Sequence, residues 1–354
     1  MSKFFSSKFA SLEAYTPGEQ PKDQQYVKLN TNESPFPPAP EVVKAAAEEA
    51  GRLQLYSDPE STDVTRAVAE RYGVRPENVL MVNGSDEILN FAFMAFGDGS
   101  HPFVFPDISY GFYPVFAAVN HVPYREIPLR EDFSIGAEDY CGVNANVVLA
   151  NPNAPTGLLL SVSEIERIVA SNPDHVVIID EAYIDFGGES CIPLIRKYDN
   201  LLVTQTFSKS RSLAGGRLGF GIGCEALIRD LNTIKYSTNP YNVNRMTAAC
   251  GKAAIEADAY YQKNAKTIAA NRAFTMSALR ARDFEVLPSA ANFIFVKPPF
   301  CSGEELYLGL KQRGVLIRHW NKPRIAPWCR ITIGTLEQMQ ALLHAIDKMM
   351  EESK

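Results

Sequence analysis

Three things are scarce in this chain of 354 residues, and each shortage narrows what it can be. No apolar run approaches the ~20 residues of a membrane span. The longest, Phe91 to Phe96, has the length of a short core segment. Positive charge is not in excess: 35 lysines and arginines against 41 acids leave a net charge of −6, so no global basic surface neutralises nucleic-acid phosphates. Cysteine and histidine spacings are bare as well. The six cysteines, at 141, 191, 224, 250, 301 and 329, form no CxxC pair, and the five histidines form no HxxxH or Cys/His spacing. Neither a metal site nor a disulfide frame is expected, and the thiols read as reduced, cytoplasmic core filler. Internal repeats and low-complexity segments are absent. The opening MSKFFSSKFASL has no arginine and no cleavage pattern, and is read as a structured arm rather than a targeting segment.

What remains is a globular chain, 46% hydrophobic, of a length that suggests about two domains. The first 40 residues end in Pro35, Pro37, Pro38 and Pro40, so they run extended over something else. A helix is expected from Pro40 to Gly51, burying Val43, Ala46, Ala47 and Ala50. Short apolar runs then alternate with helical periodicity. Strands are expected at Val79–Val82, Phe103–Phe105, Val147–Ala150, Val176–Ile179, Leu201–Thr204 and Gly219–Ile222. Their continuous apolar character is that of parallel strands buried on both faces. Ser163 with Glu166, and Thr335 with Gln338, fit the capping box. One long helix, roughly Met246–Arg282, precedes strands at Asn292–Val296, Val315–Ile317 and Arg330–Ile333 and a last helix around Met339–Met350. The expected fold is α/β: an arm (1–40) joining the small domain, a large domain (41–261) with a mostly parallel central sheet, and a smaller α+β domain (262–354).

Ligands of open α/β sheets bind beyond the carboxyl ends of the strands. Here strand after strand ends in polar residues: Asn83-Gly84-Ser85-Asp86, Asp107 to Tyr110, Asn151 to Gly157, Asp180 to Tyr183, and Thr206-Phe207-Ser208-Lys209. Ser85 and Asp86 open a helix whose free N–H groups either cradle an anion or are simply capped. Asp180 ends an apolar strand and needs a cationic or donor partner, catalytic or structural. Lys209, between a strand and a Ser/Gly-rich turn, is either a solvated lysine or an amine tuned for Schiff-base chemistry.

Taken together, these segments resemble the fold-type I pyridoxal-phosphate aminotransferases, and within them the histidinol-phosphate aminotransferases. The pieces that carry the resemblance are Leu29-Asn-Thr-Asn-Glu-Ser-Pro35, Tyr56-Ser-Asp-Pro59, Asn83-Gly-Ser-Asp-Glu87, Asn151-Pro-Asn-Ala-Pro-Thr-Gly157, Asp180-Glu-Ala-Tyr183, Ser208-Lys209 with Ala214-Gly-Gly-Arg217, and Arg330-Ile-Thr-Ile-Gly334. The resemblance runs from about Tyr15 to the last helix. It implies that Lys209 forms the Schiff base with pyridoxal 5'-phosphate, that Asp180 pairs with the ring nitrogen, and that Tyr183 hydrogen-bonds the ring's phenolic oxygen. Tyr110 would stack on the ring, while Ser85, Asp86, Thr206, Ser208 and Arg217 surround the phosphate. Tyr56 would reach that phosphate from a second subunit, implying a homodimer with shared active sites. On the substrate side the resemblance assigns Arg330, Arg318 and Tyr15 to the anionic group.

The implied reaction passes the amine of L-histidinol phosphate to 2-oxoglutarate, with aromatic amino acid transamination and phosphothreonine decarboxylation as alternatives on the same scaffold. One position departs from the family pattern. Ala154 stands where an asparagine usually donates to the phenolic oxygen, so either Tyr183 acts alone there or Asn153 or Asn151 substitutes.

Overall fold

The computed structural model describes residues 2–10 and 12–353; positions 1, 11 and 354 lie outside the described residues. In chain order its strands are β1 (Val27–Lys28), β2 (Val79–Val82), β3 (Phe103–Pro106), β4 (Tyr124–Ile127), β5 (Asn146–Ala150), β6 (Val177–Asp180), β7 (Leu201–Thr206), β8 (Gly219–Gly223), β9 (Glu285–Val286), β10 (Phe293–Lys297), β11 (Val315–Leu316), β12 (Arg318–His319) and β13 (Cys329–Thr332). Its helices are α1 (Pro40–Ala50), α2 (Thr62–Tyr72), α3 (Ser85–Phe96), α4 (Tyr113–Asn120), α5 (Val162–Ser171), α6 (Glu225–Thr238), α7 (Arg245–Glu256), α8 (Asp258–Arg280), α9 (Gly303–Gln312) and α10 (Leu336–Glu352).

The large sheet has the order β2-β8-β7-β6-β5-β3-β4. β8 is antiparallel to both its neighbours, β2 and β7, and the other pairs are parallel. Six strands therefore point one way. Strand parity sorts the side chains between two cores. Val147, Leu149, Val177, Ile179, Leu201 and Val203 join one apolar cluster with α2, α5 and α7 residues such as Val68, Ile168 and Ala254. Val148, Ile178 and Leu202 join the opposite cluster with Leu89 and Phe93 of α3 and Leu231 of α6. Each fully buried aliphatic side chain contributes about 1.5–3 kcal/mol, so a strand apolar on both sides is held in the middle of the sandwich.

The second sheet, β12-β13-β10-β9, is antiparallel. It packs on α8, α9 and α10 through a separate cluster that includes Ile268, Leu306, Leu310, Leu342 and Ile346. β1 lies parallel to β11, and Leu29 continues the stitch. The Leu29 N–H donates to Leu316 O at 2.8 Å, and its carbonyl accepts from the Thr332 N–H at 2.9 Å. The N-terminal segment is thus wedged between β11 and β13, which fixes residues 30–32 beside the strand that carries Arg330.

The structure corrects four local expectations. Helix α1 buries Val42, Ala45 and Ala46 against α7, while Val43 is exposed and Glu49 pairs with Arg245 at 2.9 Å. The expected stripe and the packed one share Ala46, and the packed one includes Glu49, whose charge is met by Arg245 on the facing helix. The cap of α5 is Ser161 with Glu164, two residues before the expected pair. The long helix breaks at Ala257 into α7 and α8, because Asp258 at the head of α8 binds Arg71 at 2.6 Å and Arg211 at 2.7 Å. The run Val315–Ile317 splits, with Val315–Leu316 pairing β1 and Arg318–His319 pairing β13. The edge strand β4 carries exposed Tyr124, Arg125 and Glu126, and so showed no buried-strand pattern. No helix among the described residues is long and apolar enough to cross a membrane, and none of their acidic, histidine and cysteine side chains cluster as a metal site would need.

Candidate active site

Because β2, β3, β5, β6 and β7 run in the same direction, the segments leaving their carboxyl ends meet at one edge of the sheet. Asp180 closes β6 in register with Ala150 and Thr204 on its neighbours. It is only 5% exposed. Thr204 Oγ1 donates to its Oδ1 at 3.2 Å and Tyr113 Oη to its Oδ2 at 3.1 Å. Burial pushes the carboxyl up to about 6 and the charge of Asp86 adds to the push, while the two hydroxyl donors pull it back. Among the described residues no cation pairs with it. A buried carboxylate held only by neutral donors is electrostatically incomplete, and it fits a ligand that brings a positive nitrogen.

An anion cradle lies beside it. Helix α3 starts at Ser85 after Gly84, with no side-chain cap, so its first N–H groups open outward. Gly84 has φ +75°, and a Cβ there would stand 2.6 Å from Arg217 Nη2. Only glycine admits the guanidinium this close to the helix start. Arg217 Nη2 is 3.1 Å from Asp86 Oδ2, and Asp86 Oδ1 accepts from Tyr110 Oη at 2.6 Å. Arg217 Nη1 also reaches Ser208 Oγ at 3.4 Å, and Thr206 Oγ1 donates to Ser208 Oγ at 3.0 Å. Ser85, Asp86, Tyr110, Thr206, Ser208 and Arg217 are therefore brought together. Burial, then Asp86, hold the Tyr110 hydroxyl well above its ordinary range, so it stays a donor.

Lys209 stands between Asp180's end of the sheet and the N-terminal segment. Its Nζ donates to Thr31 O at 3.2 Å and lies 5.8 Å from the centre of the Tyr183 ring. Tyr183 is buried and accepts from Asn32 Nδ2 at 3.0 Å. Lys209, Tyr183, Tyr110 and Tyr15 face a cavity of about 680 Å³ that also reaches Arg318 and Arg330. Arg330 Nη2 donates to Asn30 O at 2.9 Å, its guanidinium lies over the Phe293 and Trp320 rings, and its Nε has no partner. Burial lowers its pKa, the sign of a cation short of solvent and of a counter-ion. Tyr15 stacks on Phe112 with centroids 4.1 Å apart, 6.4 Å from Tyr110.

Three expected site residues stand differently. Arg318 donates to Thr16 O at 3.1 Å and Pro17 O at 3.2 Å, so it also anchors the arm that carries Tyr15. Tyr56 is 79% exposed and stacks on Tyr241 at 4.6 Å, outside the cavity of its own chain. Asn153 is turned into its loop: Nδ2 donates to Ile108 O at 3.0 Å and Thr156 Oγ1 at 3.1 Å, and Oδ1 accepts from Ser109 Oγ at 2.8 Å. Asn151 is likewise bound to Leu160, donating to its carbonyl at 3.2 Å and accepting from its N–H at 2.8 Å. Neither amide is free to stand in for the asparagine absent at Ala154. Tyr113, Thr204 and Asn32 were not singled out from the sequence. Thr204 follows from strand register, whereas the contact of Asn32 with Tyr183 spans 151 positions.

The residues present fit pyridoxal phosphate on three independent counts: an unpaired buried carboxylate for a ring nitrogen, an uncapped helix start beside a guanidinium for a phosphate, and a lysine amine at the cavity between them. The model for aminotransferase class I and II matches residues 24–346. The chain is similar to the histidinol-phosphate aminotransferase of Brachyspira hyodysenteriae, 47% identical over 348 residues and 98% of each chain. It is also similar to histidinol-phosphate aminotransferase 1 of Bordetella parapertussis, 46% identical over 353 residues and 99% of each. Among solved structures, the histidinol-phosphate aminotransferase of Sinorhizobium meliloti in complex with pyridoxal-5'-phosphate shares the fold, with a TM-score of 0.89 at 23% identity over 100% of this chain and 99% of that one.

Proposed function

This chain belongs to the class I and class II aminotransferases, and from that premise we propose that it moves the amino group of L-histidinol phosphate to 2-oxoglutarate, using pyridoxal phosphate. The observation that carries the reading is a pair of opposite charges that have no counter-ion among the described residues: the Asp180 carboxylate at the end of β6, held by two neutral hydroxyls, and the Arg330 guanidinium on β13, whose Nε has no partner. Held by these residues, pyridoxal phosphate would supply an electron sink for the pair left behind when the substrate's Cα–H bond breaks. Everything else is done by this chain. Asp180 holds a proton on the ring nitrogen, which its burial favours because the carboxylate otherwise has no counter-ion. Lys209 Nζ binds the cofactor and then carries the proton away from Cα. Tyr183 would donate to the phenolic oxygen, and Tyr110 would pack against the ring. The α3 N-terminus, Thr206, Ser208 and Arg217 hold the cofactor phosphate, while Arg330, with Tyr15 and Arg318, holds the phosphate of the substrate.

We assign Tyr56 to the site of a second copy of the chain. Its exposure, with Leu53 and Leu55 also more than half exposed beside it, suits a homodimer in which the loop crosses between subunits. Six free thiols suit the cytoplasm. Aromatic amino acids and phosphothreonine are disfavoured as donors, because relatives similar along their full length are histidinol-phosphate aminotransferases.

The test is a half-reaction. L-histidinol phosphate, phosphothreonine and phenylalanine are added separately to the holoenzyme without a keto acid, and its visible absorption is followed. Histidinol phosphate should bleach the band at the lowest concentration, and 2-oxoglutarate should then restore it with release of glutamate. Equal or better bleaching by phenylalanine, or carbon dioxide release from phosphothreonine, would overturn the substrate.

A further inference from the structure

Three consecutive residues of the N-terminal segment touch three different parts of the site. Asn30 O accepts from Arg330 Nη2, Thr31 O accepts from Lys209 Nζ, and Asn32 Nδ2 donates to Tyr183 Oη. The last contact is the most constrained. Asn32 is 1% exposed and sits at φ +57°, in the left-handed region that asparagine tolerates and β-branched residues do not. Its N–H donates to Thr332 Oγ1 at 3.0 Å, and its carbonyl accepts from Asn292 Nδ2 at 2.9 Å.

This network fixes which end of the amide faces the tyrosine. Thr332 is buried, and among the described residues the acceptor within reach of its hydroxyl proton is Asn32 Oδ1, 3.0 Å away, so that proton is satisfied only with Oδ1 on the Thr332 side. Oδ1 is therefore the acceptor end, and Nδ2 is the end on Tyr183. Because the phenol oxygen accepts from Asn32, the Tyr183 proton is left to be donated elsewhere. Meanwhile the loop in which the family resemblance leads one to expect an amide has Ala154, and its neighbours Asn151 and Asn153 are bound within the loop.

We infer that Asn32 is a positioning residue for the transamination: held by Thr332, its amide aims the Tyr183 hydroxyl proton into the site and makes up from the N-terminal segment for the donor missing at Ala154. Asn32 lies at the wall of the cavity, and its role is exerted through Tyr183, the side chain its amide holds. Thr332 lies on β13 two positions from Arg330, so the strand that holds the substrate anion also holds the amide that orients the tyrosine.

This rests on the cofactor reading above, and one spectroscopic titration separates the two. The presence of a visible band in the holoenzyme tests the cofactor, and the pH midpoint of that band tests Asn32. A donor to the phenolic oxygen withdraws charge from it and lowers the proton affinity of the conjugated nitrogen, so a misaimed Tyr183 raises the midpoint. Asn32→Gly keeps φ +57° without strain and should raise it by about half to one pH unit. In a Tyr183→Phe background, where there is no hydroxyl to aim, Asn32→Gly should add nothing. Thr332→Val frees the amide to flip and should shift the midpoint the same way by less. If Asn32→Gly does not fold, Thr332→Val decides alone. Wild-type midpoints in the folded variants, or an equal shift from Asn32→Gly with and without the Tyr183 hydroxyl, would overturn the inference.

Discussion

The two halves of the site are built from different materials. On the large sheet, Asp180, Asp86, Arg217 and Tyr110 are bound side chain to side chain, close to the strands and helix that carry them. On the N-terminal and small-sheet side, Arg330, Arg318 and Lys209 spend their donors on backbone carbonyls of residues 16, 17, 30 and 31, reached across roughly 180 to 300 positions of chain. The first half is a preorganised receptor for a fixed group. The second is closed by an arm whose carbonyls are good acceptors but weak competitors for an arriving anion, so it lends itself to a ligand that comes and goes. Substitutions should sort accordingly: those on the sheet side should abolish chemistry, and those on the arm side should change substrate affinity.

The largest effect is expected at Lys209, which belongs to both halves. Lys209→Ala should reduce turnover by about 10⁴-fold and remove the covalent attachment of the cofactor, read by absorbance after gel filtration. Near wild-type turnover in that variant would dismantle the mechanism.

Asp180 comes next. Asp180→Asn should lower kcat by about 10²- to 10³-fold, since the neutral amide cannot keep the ring nitrogen charged. The same residue makes a prediction for the protein without cofactor. Burial raises this carboxyl from its ordinary 3.8 to about 6, so between those values the folded state binds more protons than the unfolded state, and stability falls as pH rises. Above pH 6 the full cost remains, about 3 kcal/mol. Urea denaturation of the apoprotein at pH 4.5 and pH 7 should therefore show Asp180→Asn gaining on the wild type at the higher pH. No differential gain would mean that the carboxylate is better compensated than its two hydroxyl partners suggest.

The two halves also differed in how far they could be read from the sequence. Continuous apolar strands give away their direction and their buried position, and the residues just past their ends fall at one edge by geometry; Asp180, Tyr183, Ser208 and Lys209 were visible for that reason. Register extends this by one step, since Ala150, Asp180 and Thr204 lie side by side once β5, β6 and β7 are aligned. Asn32 and Thr31 lie in the Leu29–Pro35 segment that carries the family resemblance, yet nothing in that segment points to their contacts. Their contacts depend on where the arm crosses β11 and β13, which no local periodicity encodes, and asparagine in a Pro-rich stretch reads as a turn residue. The face of α1 was ambiguous for a related reason, as the packed stripe includes Glu49, whose charge is met by Arg245 on a helix far along the chain.

Smaller effects sharpen the contrast on the arm side. Arg330→Ala should raise KM for histidinol phosphate by about 10- to 100-fold, the scale of hydrogen bonds to a charged group, and should raise it much less for phenylalanine, which brings no phosphate. Arg318→Ala should cost only about three- to tenfold, because this guanidinium has two tasks and one of them, holding the Thr16 and Pro17 carbonyls, precedes any ligand. Losing that anchor loosens Tyr15 as well, so part of the Arg318 effect should appear for phenylalanine too. The discriminating quantity is the ratio of KM changes between the phosphorylated and unphosphorylated donors: large for Arg330→Ala and smaller, though above unity, for Arg318→Ala, whose work is shared between the phosphate and the arm. If both arginines give the same large ratio, both bind the phosphate directly and the arm's hold on Arg318 is exchanged when substrate arrives. If both ratios are near unity, the anion site lies elsewhere in the cavity and the division drawn between the two halves fails.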